Sequence, residues 1–245
     1  MKTLIHVALL ASLAAPLAWS AGTVKVYTPD SEKPKTLTHA EHLLDLVGQP
    51  RLANSWWPGA VIAERQKTVE AEQQHKALLA RLTGLAEQED GDDAAAINSV
   101  RQQLQALKVT GRQNVNLDPD EVRVTENGNP TLEGDYTLWL PAKPTTVTVM
   151  GLISSPGKKP FTPGRDVASY LDEQSLLSGA DNSYAWIIYP DGHTQKAPVA
   201  YWNKRHIEPM PGSIIFVGFA DHFWTKAYDG LNADILHSLI QRIPE

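Results

Sequence analysis

Thr145-Thr146-Val147-Thr148-Val149-Met150-Gly151 opens, and Pro211-Gly212-Ser213-Ile214-Ile215-Phe216-Val217 closes, the stretch that decides the fold. The first piece alternates apolar and polar residues with the period of a strand. The second is a turn followed by an uninterrupted apolar run, read as the last strand of the unit. Between them, Ser155-Pro156-Gly157 is turn chemistry, and Pro163-Gly164-Arg165-Asp166 leads into an apolar helix start at Val167. Ala185-Trp186-Ile187-Ile188-Tyr189 reads as a further strand, which Pro190-Asp191-Gly192 turns into another. Residues 145–219 thus form a small unit in which strands flank one short helix.

Toward the N-terminus the same order of parts recurs, which points to a weak internal duplication. Thr23-Val24-Lys25-Val26-Tyr27 alternates as a strand, and a polar turn follows. Thr38-x-x-Glu41 resembles a capping box, placing a short helix with Leu43, Leu44 and Val47 on its apolar face. Residues 61–108 interrupt this unit with good helix formers. Leu78, Leu82 and Leu85 form one apolar stripe, and Ile97, Val100, Leu104 and Leu107 a second. The acidic tip Glu89-Asp90-Gly91-Asp92-Asp93 between them predicts a helical hairpin, its second helix capped by negative charge. Strand grammar resumes at Val109, with Val122-Arg123-Val124 and Tyr136-Thr137-Leu138-Trp139 as further strands. At the C-terminus Leu231, Ile235, Leu239 and Ile243 recur every fourth residue, an amphipathic helix that either packs on its own domain or docks on a partner or a membrane surface.

The expected architecture is therefore α+β. A first unit spans 21–60 and 109–141, a helical insertion 61–108, a second unit 145–219 and a C-terminal amphipathic helix 229–245. Residues 1–20 read as a cleavable export signal. Lys2 precedes an apolar run, and Ala18-Trp19-Ser20 places small residues at the cleavage site. That run is short of the ~20 apolar residues a membrane span needs, and no later stretch reaches it. An exported chain without a single Cys must hold itself together by its cores, and it has no thiol to carry a lipid anchor. The expected location is the periplasm.

Net charge is −6 at pH 7 with His neutral, and no Lys/Arg cluster stands out along the chain. Nucleic acid and anionic lipid both require a basic footprint, so neither is an expected partner. An acidic polysaccharide would need a local basic pocket.

For an enzyme, the signals are thin. No G-x-S-x-G nucleophile elbow occurs. His39-x-x-His42 has a spacing used by some metal sites, but no third ligand is signalled. Glu133, Asp135, Asp118, Asp120 and Glu121 include no pair that spacing singles out for glycoside hydrolysis. No cofactor is expected. Binding has better material. Arg112 follows Gly111 ahead of a strand and offers a rigid fork for a carboxylate, or else an ion pair between domains. Tyr201-Trp202-Asn203-Lys204-Arg205-His206 concentrates aromatic, amide and cationic groups. Trp202 there either anchors the loop in the core or joins Asn203, Lys204 and Arg205 in a polar binding loop.

The grammar of residues 145–219, with Gly151, Ser155-Pro156-Gly157, Pro163-Gly164-Arg165-Asp166-Val167, Asp191-Gly192 and Pro211 through Val217, resembles the SLBB type of β-grasp domain of outer-membrane polysaccharide export proteins. Over nearly all of 21–245 the chain resembles the GfcC/YjbG family of capsule and exopolysaccharide proteins. Trp56-Trp57-Pro58-Gly59-Ala60, Thr110-Gly111-Arg112, Gly134-Asp135-Tyr136-Thr137-Leu138 and Trp202-Asn203-Lys204-Arg205-His206 carry that likeness. The resemblance implies two β-grasp domains, a helical insertion in the first, and a non-enzymatic periplasmic role in exopolysaccharide export or assembly. Its expected partners are the polymer, outer-membrane export proteins, or both, with peripheral membrane contact possible through the C-terminal helix. A periplasmic glycan-cleaving or glycan-modifying enzyme is the alternative.

Overall fold

The computed structural model describes residues 22–31, 33–220 and 226–244. The expected export signal, 1–20, lies outside them.

Two mixed sheets carry the fold. The first contains β1 (Gly22–Tyr27), β2 (Lys35–Ala40), β3 (Val61–Glu64) and β4 (Asp135–Trp139) in the order β2-β1-β4-β3. The second contains β5 (Thr146–Gly151), β6 (Gly157–Pro160), β7 (Tyr184–Ile188), β8 (Thr194–Pro198) and β9 (Ile214–Val217) in the order β6-β5-β9-β7-β8. In each sheet the opening strand pairs antiparallel with the next and parallel with the last. The last strand then pairs antiparallel with the third. That is the β-grasp order, complete in the second unit and short of one edge strand in the first. A short helix holds the same place in both copies: α1 (Leu43–Val47) and α5 (Val167–Leu171) each follow the second strand. The duplication read from the sequence is thus real at the level of topology.

Burial explains the patterns. In β1, Val24 and Val26 point into the first core while Lys25 and Tyr27 face out. Strand β9 is buried at all four positions because β5 and β7 flank it and cores lie on its faces. Where β5 ends, Gly151 has φ +102°, and a Cβ there would lie 2.0 Å from the Val217 carbonyl oxygen. Only glycine fits this close approach of the parallel pair.

The hairpin is α2 (Arg65–Ala86) and α3 (Gly91–Gln105). It interrupts the first sheet in sequence but completes the second core in space. Leu78, Leu82, Leu85, Ile97, Val100 and Leu104 share one buried cluster with Val147, Val149, Ile187, Ile215 and Phe216. The Gln103 side chain seals that contact by bonding both backbone groups of Gly151, accepting from N at 2.8 Å and donating to O at 3.0 Å. The acidic tip does cap α3, with Asp90 before it and Asp92 and Asp93 in its first turn. It is also anchored, since Tyr228 Oη donates to Glu89 at 3.1 Å and Ser178 Oγ donates to Asp93.

Four local expectations need correction. The helical segment starts at Arg65 rather than 61, because Val61–Glu64 pair with β4 as β3. Residues 122–124 belong to α4 (Pro119–Val124) and are not a strand. Asp118 accepts from Asp120 N at 2.9 Å and Pro119 occupies the first helical turn, so cap chemistry overrides the Val-Arg-Val alternation. Helix α1 begins after His42, not at Thr38, since β2 continues through Ala40. His39 therefore sits in a strand and His42 at a helix cap, so they share no helix face. Finally, the C-terminal helix α6 is Leu231–Ile240, and Ile243 lies beyond it.

Candidate functional site

Arg112 lies where all the parts meet. Its backbone bridges Ala63 of β3, and its amide donates to Gln241 Oε1 at 2.7 Å, just past α6. The guanidinium reaches into the second unit, donating to the Pro190 carbonyl at 2.7 Å and to the Ile240 carbonyl at 3.4 Å. It packs on Gly192, where a Cβ would come within 3.1 Å of it. Burial lowers its pKa to about 10, and Asp191 opposes that drop only at longer range. Among the described residues no carboxylate lies within 4.0 Å of it. Arg242 works beside it, bonding the Gly212 carbonyl at 3.2 Å and Leu239 at 3.0 Å. The two side chains hold the end of α6 and the first sheet against the β7–β8 turn.

The 201–206 loop follows β8 and is split by function. Tyr201 is 99% exposed and Trp202 71% exposed, far outside any core. Arg205 is also exposed, and among the described residues it makes no ion pair. Asn203, half-buried, and Lys204, exposed but paired with a buried acid, hold the loop. Asn203 Nδ2 donates to the Ser183 carbonyl at 3.1 Å. Lys204 Nζ lies 3.4 Å from Asp166, whose side chain is almost fully buried. Asp166 in turn caps α5 by accepting from Ser169 N at 2.8 Å. Burial alone would raise the Asp166 carboxyl pKa, but the bonds from Ser169 and the cation of Lys204 outweigh it and hold the group below the usual carboxylate range. His206 bonds Glu208 at 2.8 Å, and Glu208 accepts from Gly164 N at 3.1 Å, so the far end of the loop is also tied down. The result is a loop that presents the rings of Tyr201 and Trp202 and the guanidinium of Arg205 to solvent from a pinned base. Of the residues grouped by sequence, the structure sends Trp202 and Arg205 outward and turns Asn203 and Lys204 into supports. The anchor Asp166 was not anticipated; its sequence signal was an Asp three residues ahead of Ser169 at a helix start.

The C-terminal helix does not offer its apolar face. Leu231, Ile235 and Leu239 are each 0% exposed, inside the second core with Leu78 and Leu82 of α2. Ile243 is half-buried, with its amide bonded to the Lys108 carbonyl at 2.8 Å. Of the two readings of this stripe, packing within the chain holds, and the partner- or membrane-contacting role given to Leu231, Ile235 and Leu239 is corrected, because the hairpin supplies the apolar surface that the stripe needs. Polar contacts reinforce the pairing of α2 with α6. Arg81 bonds Asp234 at 2.5 Å and the carbonyls of Ala227 and Asp229 at 2.8 Å, and His75 Nδ1 meets Ser238 Oγ at 2.6 Å. Burial lowers the His75 pKa against a bond to the Leu104 backbone. No helix among the described residues is long and apolar enough to cross a membrane.

Comparison with known proteins finds the capsule biosynthesis GfcC N-terminal family over residues 20–143 and the GfcC C-terminal family over residues 155–244. An Escherichia coli (strain K12) protein, YjbG, described only as uncharacterized, is 68% identical over 239 residues, which is 98% of either chain.

Proposed function

Because the chain belongs to the GfcC family of capsule biosynthesis, we propose that it is a periplasmic, non-catalytic accessory of exopolysaccharide export or assembly that binds the polymer through the 201–206 loop. One observation carries the reading: Tyr201 and Trp202 stand in solvent on a loop whose base is fastened by Asn203 and by the Lys204–Asp166 pair. Large aromatic side chains are normally withdrawn from water, and exposure on a pre-ordered loop suits a ring meant to stack on a ligand. Sugar rings present C–H faces to aromatic planes and hydroxyls or carboxylates to a nearby cation, and Arg205 supplies that cation. Because the loop is already ordered, binding forfeits little conformational entropy.

The test is calorimetric titration of the purified chain with the host's own exopolysaccharide, beside Trp202→Ala and Tyr201→Ala. Binding by the wild type that falls at least about tenfold in either variant supports the reading, since tenfold is only ~1.4 kcal/mol of contact. Absence of wild-type binding removes the glycan role. Shortening of the polymer by the wild-type protein, lost on changing one acidic side chain, would replace the binder with an enzyme.

A further inference from the structure

The first unit contains a cleft that the chain's overall charge gives no reason to expect. It lies at the carboxyl-terminal ends of the parallel pair β1 and β4 and has a volume of about 360 Å³. Its wall includes Lys35 from the start of β2, Arg51 from the turn after α1, and Lys143 from the connection to the second unit. Trp56, Asn54 and Ser55 contribute a ring and polar groups. The three cations come from segments far apart in sequence, on a protein of net charge −6. All three are exposed, and among the described residues none forms an ion pair. Among the described residues the lining has one carboxylate, Asp30, and it too is exposed.

Three like charges around one concave surface repel one another, and the nearby low-dielectric wall concentrates their field. An anion entering the cleft relieves that repulsion. The ring is pre-set for a ligand with a flat apolar face, because Gly59 lies against it. A Cβ on Gly59 would come within 2.1 Å of the Trp56 ring, and Pro141 closes the same spot. Cations, a held indole and amide and hydroxyl groups together match a sugar that carries a carboxylate more closely than a bare anion, which would use only the cations.

We propose that this cleft is a binding site for an acidic saccharide, a uronate or similar carboxylated sugar, with Arg51, Lys143 and Lys35 taking the carboxylate and Trp56 the ring face. The assignment deepens the glycan-binding reading. It rests on that reading for the saccharide nature of the ligand, but its location is independent of the 201–206 loop.

The probe is tetragalacturonic acid, titrated into the full chain beside its neutral methyl ester and against inorganic phosphate. The wild type should bind the acid at least about tenfold tighter than the ester, and Arg51→Gln or Lys143→Gln should each weaken binding about tenfold, as expected for losing one charge-assisted contact. Lys143→Arg should restore it. These side chains are exposed, so the variants should unfold at the wild-type temperature, which is measured alongside. Failure of the wild type to bind the acid, equal binding of the ester, displacement by phosphate at matching concentration, or wild-type affinity in the Arg51→Gln, Lys143→Gln double variant would each overturn the site. Trp202→Ala separates the two readings. If it alone abolishes acid binding while the cleft variants bind normally, the cleft falls and the loop stands. If only the cleft variants lose binding, the loop falls and the cleft stands. Losses in both sets support the cleft.

Discussion

Replacing Arg112 with Met keeps most of the side chain's apolar stem and removes its charge and its fork. Two effects then oppose each other. A pKa lowered from 12.5 to about 10 means that holding the charge in the seam costs about 3 kcal/mol, which the substitution relieves. Against this, the carbonyls of Pro190 and Ile240 lose their donors, and hydrogen bonds from a charged group contribute about 1.5–3 kcal/mol each. The 2.7 Å bond to Pro190 should count for the larger share and the 3.4 Å bond to Ile240 for less. The balance is a net loss of about 1–2 kcal/mol, or roughly 2–8 °C in the unfolding midpoint for a chain of this size. Arg112→Lys should also lose stability, since an ammonium cannot span both carbonyls as a planar fork does. Differential scanning calorimetry of the wild type and both variants is the assay. An unchanged or raised midpoint in Arg112→Met would refute the clamp, because the guanidinium would then cost the fold more than its bonds return.

Gly151→Ala should destabilise the chain by about 3 kcal/mol or more, from a disfavoured φ and a clash with Val217 O, read as a lower urea midpoint. Asp166 should confer acid sensitivity. Its folded pKa is lowered, so its stabilisation is complete above the ordinary carboxylate pKa of about 4 and disappears as pH falls through the folded value. Unfolding curves for Asp166→Asn should therefore lose less stability below that pH than those of the wild type. Tyr201→Ala and Trp202→Ala should leave the unfolding midpoint within about 0.5 kcal/mol of wild type, because both rings are already in water. Ending the chain after residue 229 strips Leu231, Ile235 and Leu239 from the core at roughly 1.5–3 kcal/mol each. That sum rivals the whole stability of an ordinary domain, so the near-UV circular dichroism of the second unit should collapse.

What could be read in advance was whatever local pattern alone determines. The alternation at 23–27 and 146–151 and the two leucine-rich stripes gave strands and a hairpin, because burial on one face leaves a periodic trace. Strand β3 was hidden because its short apolar run leads straight into helix formers with no break. Helix α4 was hidden because capping by Asp118 competes with alternation and wins over six residues. Trp202 could not be placed at all from its neighbours, since the same residues fit a core anchor or an exposed ring. The stripe of α6 was legible, but what covers it was not. That depends on the hairpin returning to the second sheet after interrupting the first, a long-range contact that no window of sequence contains. For the same reason Lys35, Arg51 and Lys143 show no cluster along the chain, and only the fold gathers them.

The route of the hairpin also bears on recognition. It leaves the first sheet at Glu64, joins the second core through Leu78, Leu82, Ile97 and Val100, and meets α6 through Arg81. Arg112 then bonds the second unit from the irregular segment that leads back to the first. The two β-grasp units are thus tied by shared core and by hydrogen bonds, not by the 141–144 connection alone. Relative rotation of the units would expose buried leucine and unpair buried carbonyls, and both changes are costly. A cleft on one unit and an aromatic loop on the other are therefore held at one separation, without the entropy that a flexible linker would have to lose on joint binding. For a polymer that repeats the same sugars, a fixed spacing makes the second contact intramolecular and multiplies two weak affinities. Loosening the seam by Arg112→Met should then weaken binding of a long polymer more than binding of a tetrasaccharide. Equal losses for the two lengths would show that the units act separately.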